Sequence, residues 1–158
     1  EPNKGTVVEL FLPRSTGGQA IAKSPMPIGD NVGVPTETVL VVEDDQAVRR
    51  VAARRLTELG YRTLEVANAE AALEIIYSDR AVDLLFTDVV MPGGIDGMQL
   101  ARIATQHRPD LRVLLTSGFP ASSAAMETLD DRMPQLLMKP YRTSELAERV
   151  RRALHARP

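Results

Sequence analysis

The chain has 158 residues, 44% of them apolar, which is enough for one domain with a real core. A formal net charge of -2 lacks the basic excess that non-specific nucleic-acid binding needs, and the absence of cysteine excludes a disulfide framework, a thiolate zinc site and a cysteine nucleophile. No apolar run approaches the roughly 18 residues of a membrane span, so the expectation is a cytoplasmic piece that touches neither nucleic acid nor membrane.

In chain order, Gly5 to Pro13 is a short β-like segment closed by proline, too small to fold alone. Residues 15–36 hold four glycines and three prolines and read as a flexible linker. From Glu37 short apolar runs alternate with longer segments of helical period, the pattern of a βαβ fold. Thr38 to Val42 is the first strand. A helix follows from about Gln46, with Val48, Ala52, Leu56 and Leu59 on one face and Gly60 where a left-handed cap belongs. Arg62 to Val66 is the second strand, and Asn68 is a good N-cap for a helix carrying Ala72, Leu73 and Ile76.

The third strand is expected over Asp83 to Thr87, and a third helix over Gly97 to His107, stopping before Pro109. Leu111 to Thr116 reads as the fourth strand, with a short helix to follow within Ser122 to Asp131. Gln135 to Met138 is the fifth strand, and a last helix begins near Thr143 with Leu146, Val150 and Leu154 aligned. Strands this apolar are covered on both faces, which points to a three-layer, doubly wound parallel α/β sheet. In such sheets the binding crevice lies at the carboxyl ends of the strands, where strand order reverses.

The residues at those ends are unusual. Strand one runs into Glu43, Asp44 and Asp45, strand three into Asp88, strand four into Thr116, Ser117 and Gly118, and strand five into Lys139 and Pro140. Taken singly each has a plain explanation: a helix N-cap for the acidic run, a turn residue for Asp88, a strand end for Thr116, a solvated lysine for Lys139. Their shared placement at one edge is what needs a function. Carboxylates converging there repel one another by about 4 kcal/mol per pair at 4 Å and an effective dielectric of 20. Hard oxygen ligands suit Mg²⁺, while the ammonium of Lys139 and the hydroxyl of Thr116 suit phosphate oxygens, so the edge is built for phosphoryl chemistry. His107 and His155 are isolated and read as solvated residues.

Leu40-Val-Val-Glu-Asp-Asp45, Phe86-Thr-Asp-Val-Val-Met-Pro92 with Asp96-Gly97, Leu114-Leu-Thr-Ser-Gly118 and Met138-Lys-Pro140 stand in an order and spacing that resemble the receiver domains of bacterial two-component systems. The resemblance covers residues 37 to 158 and implies a flavodoxin-like (βα)5 sheet of strand order 2-1-3-4-5. It implies Asp88 as phosphoacceptor, Thr116 and Lys139 as binders of the phosphoryl oxygens, and Glu43, Asp44, Asp88 and the Val90 carbonyl as the Mg²⁺ site. The phosphoryl donor would be a phosphohistidine on a histidine kinase, its own or a cognate one, or on a histidine phosphotransfer protein. The chain would then catalyse its own phosphorylation without being a kinase, for it carries no glycine-rich ATP-binding loop. A docking or inhibitory module of a histidine kinase that is never phosphorylated is the alternative, against which the intact Asp88, Thr116 and Lys139 count.

Two departures from the family pattern matter. Leu136 occupies the position, three before the lysine, where an aromatic switch residue is common, and Gly93-Gly94-Ile95 lengthens the loop after Pro92. The longer loop resembles receivers attached to hybrid sensor kinases. Residues 1–14 resemble the end of a histidine-kinase ATP-binding domain, and the chain opens on Glu1, so the expectation is the C-terminal part of a hybrid histidine kinase, with residues 1 to about 35 loosely docked. Arg49 or Arg50 is expected to place positive charge near the phosphoryl path. Val90 and Gly118, two residues after Asp88 and Thr116, offer no polar side chain to hold an attacking water.

Overall fold

The computed structural model describes residues 37–118 and 135–155, together with Phe11. Nearly all of the expected remnant over 1–14, the linker over 15–36 and the helix within Ser122 to Asp131 lie outside the described residues. Within them five strands, β1 (Thr38–Val42), β2 (Arg62–Val66), β3 (Leu84–Asp88), β4 (Arg112–Ser117) and β5 (Gln135–Met138), alternate with helices α1 (Gln46–Glu58), α2 (Ala69–Tyr77), α3 (Gly97–His107) and α4 (Thr143–His155). All pairings are parallel, and the strand order is β2-β1-β3-β4-β5. The doubly wound α/β sheet is therefore present as expected.

Alternation along each strand divides the core in two. Val39, Val41, Leu84, Phe86, Leu114 and Leu137 pack against Ala52, Leu56, Leu146 and Val150 of α1 and α4. Leu40, Val42, Leu85, Val113 and Leu115 face the other way, onto Ala72, Ile76, Leu100 and Ala104 of α2 and α3. That double cover explains why β1 has no exposed position. β2 lies at the sheet edge, and its Arg62 and Glu65 are exposed.

Local chemistry sets the helix ends. Asn68 caps α2 by accepting from Ala71 N at 2.9 Å, and Asp96 caps α3 by accepting from Gln99 N at 2.7 Å. Gly60 takes φ +96° just beyond α1, the left-handed turn expected there. α3 ends at His107, and Arg108, the residue before Pro109, is extended.

Two strands are displaced by one residue from expectation. β3 is Leu84–Asp88 rather than Asp83 to Thr87, so Asp88 is the last rung of the ladder, opposite Thr116, and not the first residue of a loop. Asp83 is instead a brace: its carboxylate accepts from Thr38 N at 2.7 Å and its carbonyl from Arg112 N at 3.2 Å. β4 correspondingly runs to Ser117. Val48, read as part of the buried face of α1, is 38% exposed, because it lies at the end of the helix that overhangs the strand tips. Leu114 is fully buried in β4 between two strands. Leu114→Ala is expected to cost about 3 kcal/mol in a denaturant titration, as large-to-small changes at closed core positions do.

Candidate functional site

The order β2-β1-β3 means that the chain leaves β1 in opposite directions to reach its two neighbours, which opens a crevice over the carboxyl ends of β1 and β3. The three acidic residues after β1 divide their work there. Asp45 is the N-cap of α1, its Oδ1 accepting from Ala47 N at 2.7 Å and Val48 N at 3.0 Å. Those bonds hold its carboxyl below the usual aspartate range. The plain reading as a cap is thus correct for Asp45. Glu43 and Asp44 turn to the crevice, where their carboxylate oxygens and one of Asp88 all lie within 4.8 Å of one another.

Lys139 arrives from the end of β5. Its ammonium donates to Glu43 Oε2 at 2.6 Å and to Asp88 Oδ2 at 2.7 Å. The backbone is pinned as well, with Lys139 N donating to the Ser117 carbonyl at 2.7 Å. Burial opposes the charged lysine, but hydrogen bonds and charges from Asp88 and Glu43 outweigh it and raise its pKa. Burial raises the Glu43 carboxyl above the usual glutamate range, against the lowering influence of the same ammonium. One cation shared by two acids does not fully compensate the buried one.

Asp88 Oδ1 accepts weakly from Val90 N at 3.4 Å, and Val90 itself is 58% exposed at the rim. Thr116 is fully buried, and its hydroxyl donates to the Thr87 carbonyl at 3.4 Å rather than to a crevice carboxylate. The Asp88 turn leaves no space behind it. A Cβ on Gly97 would lie 1.9 Å from the Asp88 carbonyl oxygen, so only glycine lets α3 start against this backbone. Gly93 and Gly94 adopt φ of +116° and +107°, and buried Met91 with half-buried Ile95 anchors the lengthened loop on the α2 and α3 side of the core.

Sequence reading missed two features. Tyr141 meets Phe86 edge to face at 6.5 Å between ring centroids, and Arg55 lies over its ring at 5.9 Å. Tyr141 and Arg55, with Val48, Val51, Pro140 and Lys139, line a groove of about 330 Å³ beside the crevice. The helical spacing of Val48, Val51 and Arg55 was the available signal. Arg49 is the second: its guanidinium is hydrogen-bonded to main-chain carbonyls of the β1–α1 loop.

Residues 39–151 match the family model of the response regulator receiver domain. The chain belongs to that family. Among similar proteins, the sensor kinase CckA of Brucella abortus (strain 2308) is 34% identical over 98% of this chain but only 17% of its own length. The receiver protein CpdR of the same organism is 33% identical over 75% of this chain and 97% of its own. A solved receiver domain of the hybrid histidine kinase CckA superposes with a TM-score of 0.61 at 40% identity, covering 75% of this chain and 99% of that one. A receiver protein from Sinorhizobium medicae WSM419 gives 0.69 at 28% identity, covering 77% of this chain and 97% of that one. The chain is thus a receiver domain of two-component signalling, a phosphorylation-based switch by family, related to the CckA hybrid kinase. Receivers generally bind Mg²⁺ at an acidic pocket and work with histidine kinases or phosphotransfer partners. Among the described residues no helix is long and apolar enough to cross a membrane.

A carboxyl whose pKa is raised by folding binds its proton more tightly in the folded state. The fold therefore gains relative stability as pH falls through the folded value, a gain complete below the ordinary value of 4.5 for Glu43. Glu43→Gln mimics the protonated form. Without Mg²⁺ it is expected to melt higher than the unsubstituted chain at pH 7, with the difference closing below pH ~4.5; a lower melting temperature at pH 7 would contradict the assignment.

Proposed function

We propose that this domain accepts a phosphoryl group from a phosphohistidine onto Asp88, with Mg²⁺ held by Glu43, Asp44, Asp88 and the Val90 carbonyl. The observation that carries the reading is the position of Lys139, whose ammonium bridges Glu43 and Asp88 beside Asp44. Three carboxylates around one ammonium leave excess negative charge. Oxygen donors this close fit a small hard dication that keeps several water ligands. When bound, Mg²⁺ neutralises charge on the transferring phosphoryl oxygens.

The residues of the chain do the rest. Lys139 holds Asp88 Oδ2, leaving Oδ1 to attack phosphorus in line with the leaving imidazole. An O–P bond forms as the N–P bond of the phosphohistidine breaks, and the imidazole keeps the bonding pair and takes a proton from solvent. Lys139 then turns toward the phosphoryl oxygens, and Thr116 leaves the Thr87 carbonyl to donate to one of them. The donor helix is received by the groove on α1, where Val48 and Val51 offer apolar surface and Arg55 and Tyr141 close the side.

The alignment with the CckA sensor kinase extends over 98% of the chain. It supports residues 1–14 as the remnant of an ATP-binding domain, 15–36 as a linker and 37–158 as the receiver of a hybrid kinase. In that setting the domain acts on the cytoplasmic side as one station of a phosphorelay.

Two experiments check this reading. Incubation with acetyl phosphate and Mg²⁺ should add the mass of one phosphoryl group to the chain, and Asp88→Asn should abolish the gain; equal incorporation in the variant excludes Asp88. The phosphoryl group should also be long-lived, because no polar side chain at Val90 or Gly118 holds a hydrolytic water in line. Among the described residues, a Cβ at Gly118 meets nothing within 4 Å. Val90→Asn with Gly118→Glu is expected to shorten the half-life on the order of tenfold, and an unchanged or longer half-life removes the argument.

A further inference from the structure

The acidic pair sits on a loop of three residues, Glu43, Asp44 and Asp45, between β1 and α1. Asp45 is held by its cap bonds and the Glu43 carboxylate by Lys139, which leaves the main-chain carbonyls of the loop to be fixed. The Arg49 side chain reaches two of this loop's main-chain carbonyls, and its backbone N–H makes the ordinary first-turn helix bond to the third. Its Nη1 donates to the Glu43 carbonyl at 2.5 Å and reaches the Asp44 carbonyl at 3.4 Å, and its backbone N–H donates to the Asp45 carbonyl at 2.9 Å. The position is electrostatically awkward, since a cation in the first turn of a helix opposes the helix dipole and α1 has no acidic residue there. Hydrogen bonds from a charged donor to two carbonyls are a sufficient return for that cost.

From this geometry we infer that Arg49 is a positioning residue that clamps the β1–α1 loop so that Glu43 and Asp44 are aimed for the divalent cation. It touches neither the cation nor the phosphoryl group. Mg²⁺ demands near-ideal octahedral geometry, so ligand placement weighs heavily in its affinity. Groups that orient metal ligands typically contribute 10- to 100-fold in metal affinity.

The inference rests on the proposed Mg²⁺ site, and its test separates the two. If Arg49 acted only as a nearby positive charge, its removal would relieve repulsion and tighten Mg²⁺ binding. If it acts as a clamp, its removal weakens binding. The signs are opposite.

The full chain, unsubstituted and as Arg49→Met and Arg49→Lys, is titrated with Mg²⁺ alone while backbone amide shifts are followed by NMR, with dispersion of the spectrum reporting the fold. Arg49→Met is expected to weaken Mg²⁺ binding about tenfold with its spectrum still dispersed. Arg49→Lys, which keeps the charge and one donor, should fall between. Binding by Arg49→Met as tight as or tighter than that of the unsubstituted chain overturns the inference. Should Arg49→Met fail to fold, Arg49→Lys decides, because it keeps the charge: weaker binding supports the clamp and equal binding overturns it. Absence of Mg²⁺ binding by the unsubstituted chain would instead remove the metal site and the inference with it.

Discussion

The Lys139 ammonium stands between two carboxylates that belong to different strands, and the geometry of the crevice depends on that sharing. Glu43 follows β1, Asp88 closes β3 and Lys139 follows β5, so two contacts of 2.6 and 2.7 Å tie together the tips of three strands. The sheet supplies the convergence at no electrostatic gain, since parallel strands bring their carboxyl ends to one edge whatever residues stand there. Without the ammonium, the acids would be neighbours under mutual repulsion in a partly dry site. Even with it, burial leaves Glu43 more readily protonated than an ordinary glutamate, while the two acids hold the lysine firmly charged. A site in this condition is prepared for additional positive charge on the acidic side and for an anion on the lysine side.

Much of this architecture is legible in the sequence, for identifiable reasons. β1, β3 and β4 are buried on both faces, and such strands must be written as unbroken apolar runs. Helix ends carry short-range chemistry, so Asn68 and Gly60 mark their positions from within a few residues. The convergence of Glu43, Asp44, Asp88 and Lys139 follows once the strands are placed, because each residue sits at the same end of its strand. The one-residue displacement of β3 has a physical origin too. Asp83 uses its side chain to bond the backbone of β1, a contact across 45 positions that local pattern does not reveal.

Side-chain direction is where sequence reading runs out. Asp45 looks like a third crevice acid until its bonds to Ala47 and Val48 show a helix cap. The sequence places Arg49 and Arg50 on a helix as candidates for charge near the phosphoryl path, but it does not reveal that the Arg49 guanidinium goes to main-chain carbonyls six and five residues back. Tyr141 became visible only when α1 and the β5–α4 connection were brought together. Spacing along a helix specifies a face, and what the face meets is decided by topology.

The aromatic at Tyr141 does not replace the one missing at Leu136. Leu136, paired with Leu115, packs on the α2 and α3 side of the core, whereas Tyr141 packs with Phe86 on the α1 and α4 side. The sheet separates them. Thr116, in the proposed reaction, changes only its side chain, because its carbonyl is committed to Val89 N at 2.8 Å and its strand is paired on both sides. In receivers with an aromatic at the Leu136 position a ring can follow such a movement; a leucine already packed into the core has less reach. In the proposed reaction, then, there is no aromatic side chain at position 136 to carry the response, which leaves the loops at the crevice edge. Gly93 and Gly94, with their backbone in the left-handed region beside the Asp88 turn, give that edge a loop shape that other residues would strain to adopt.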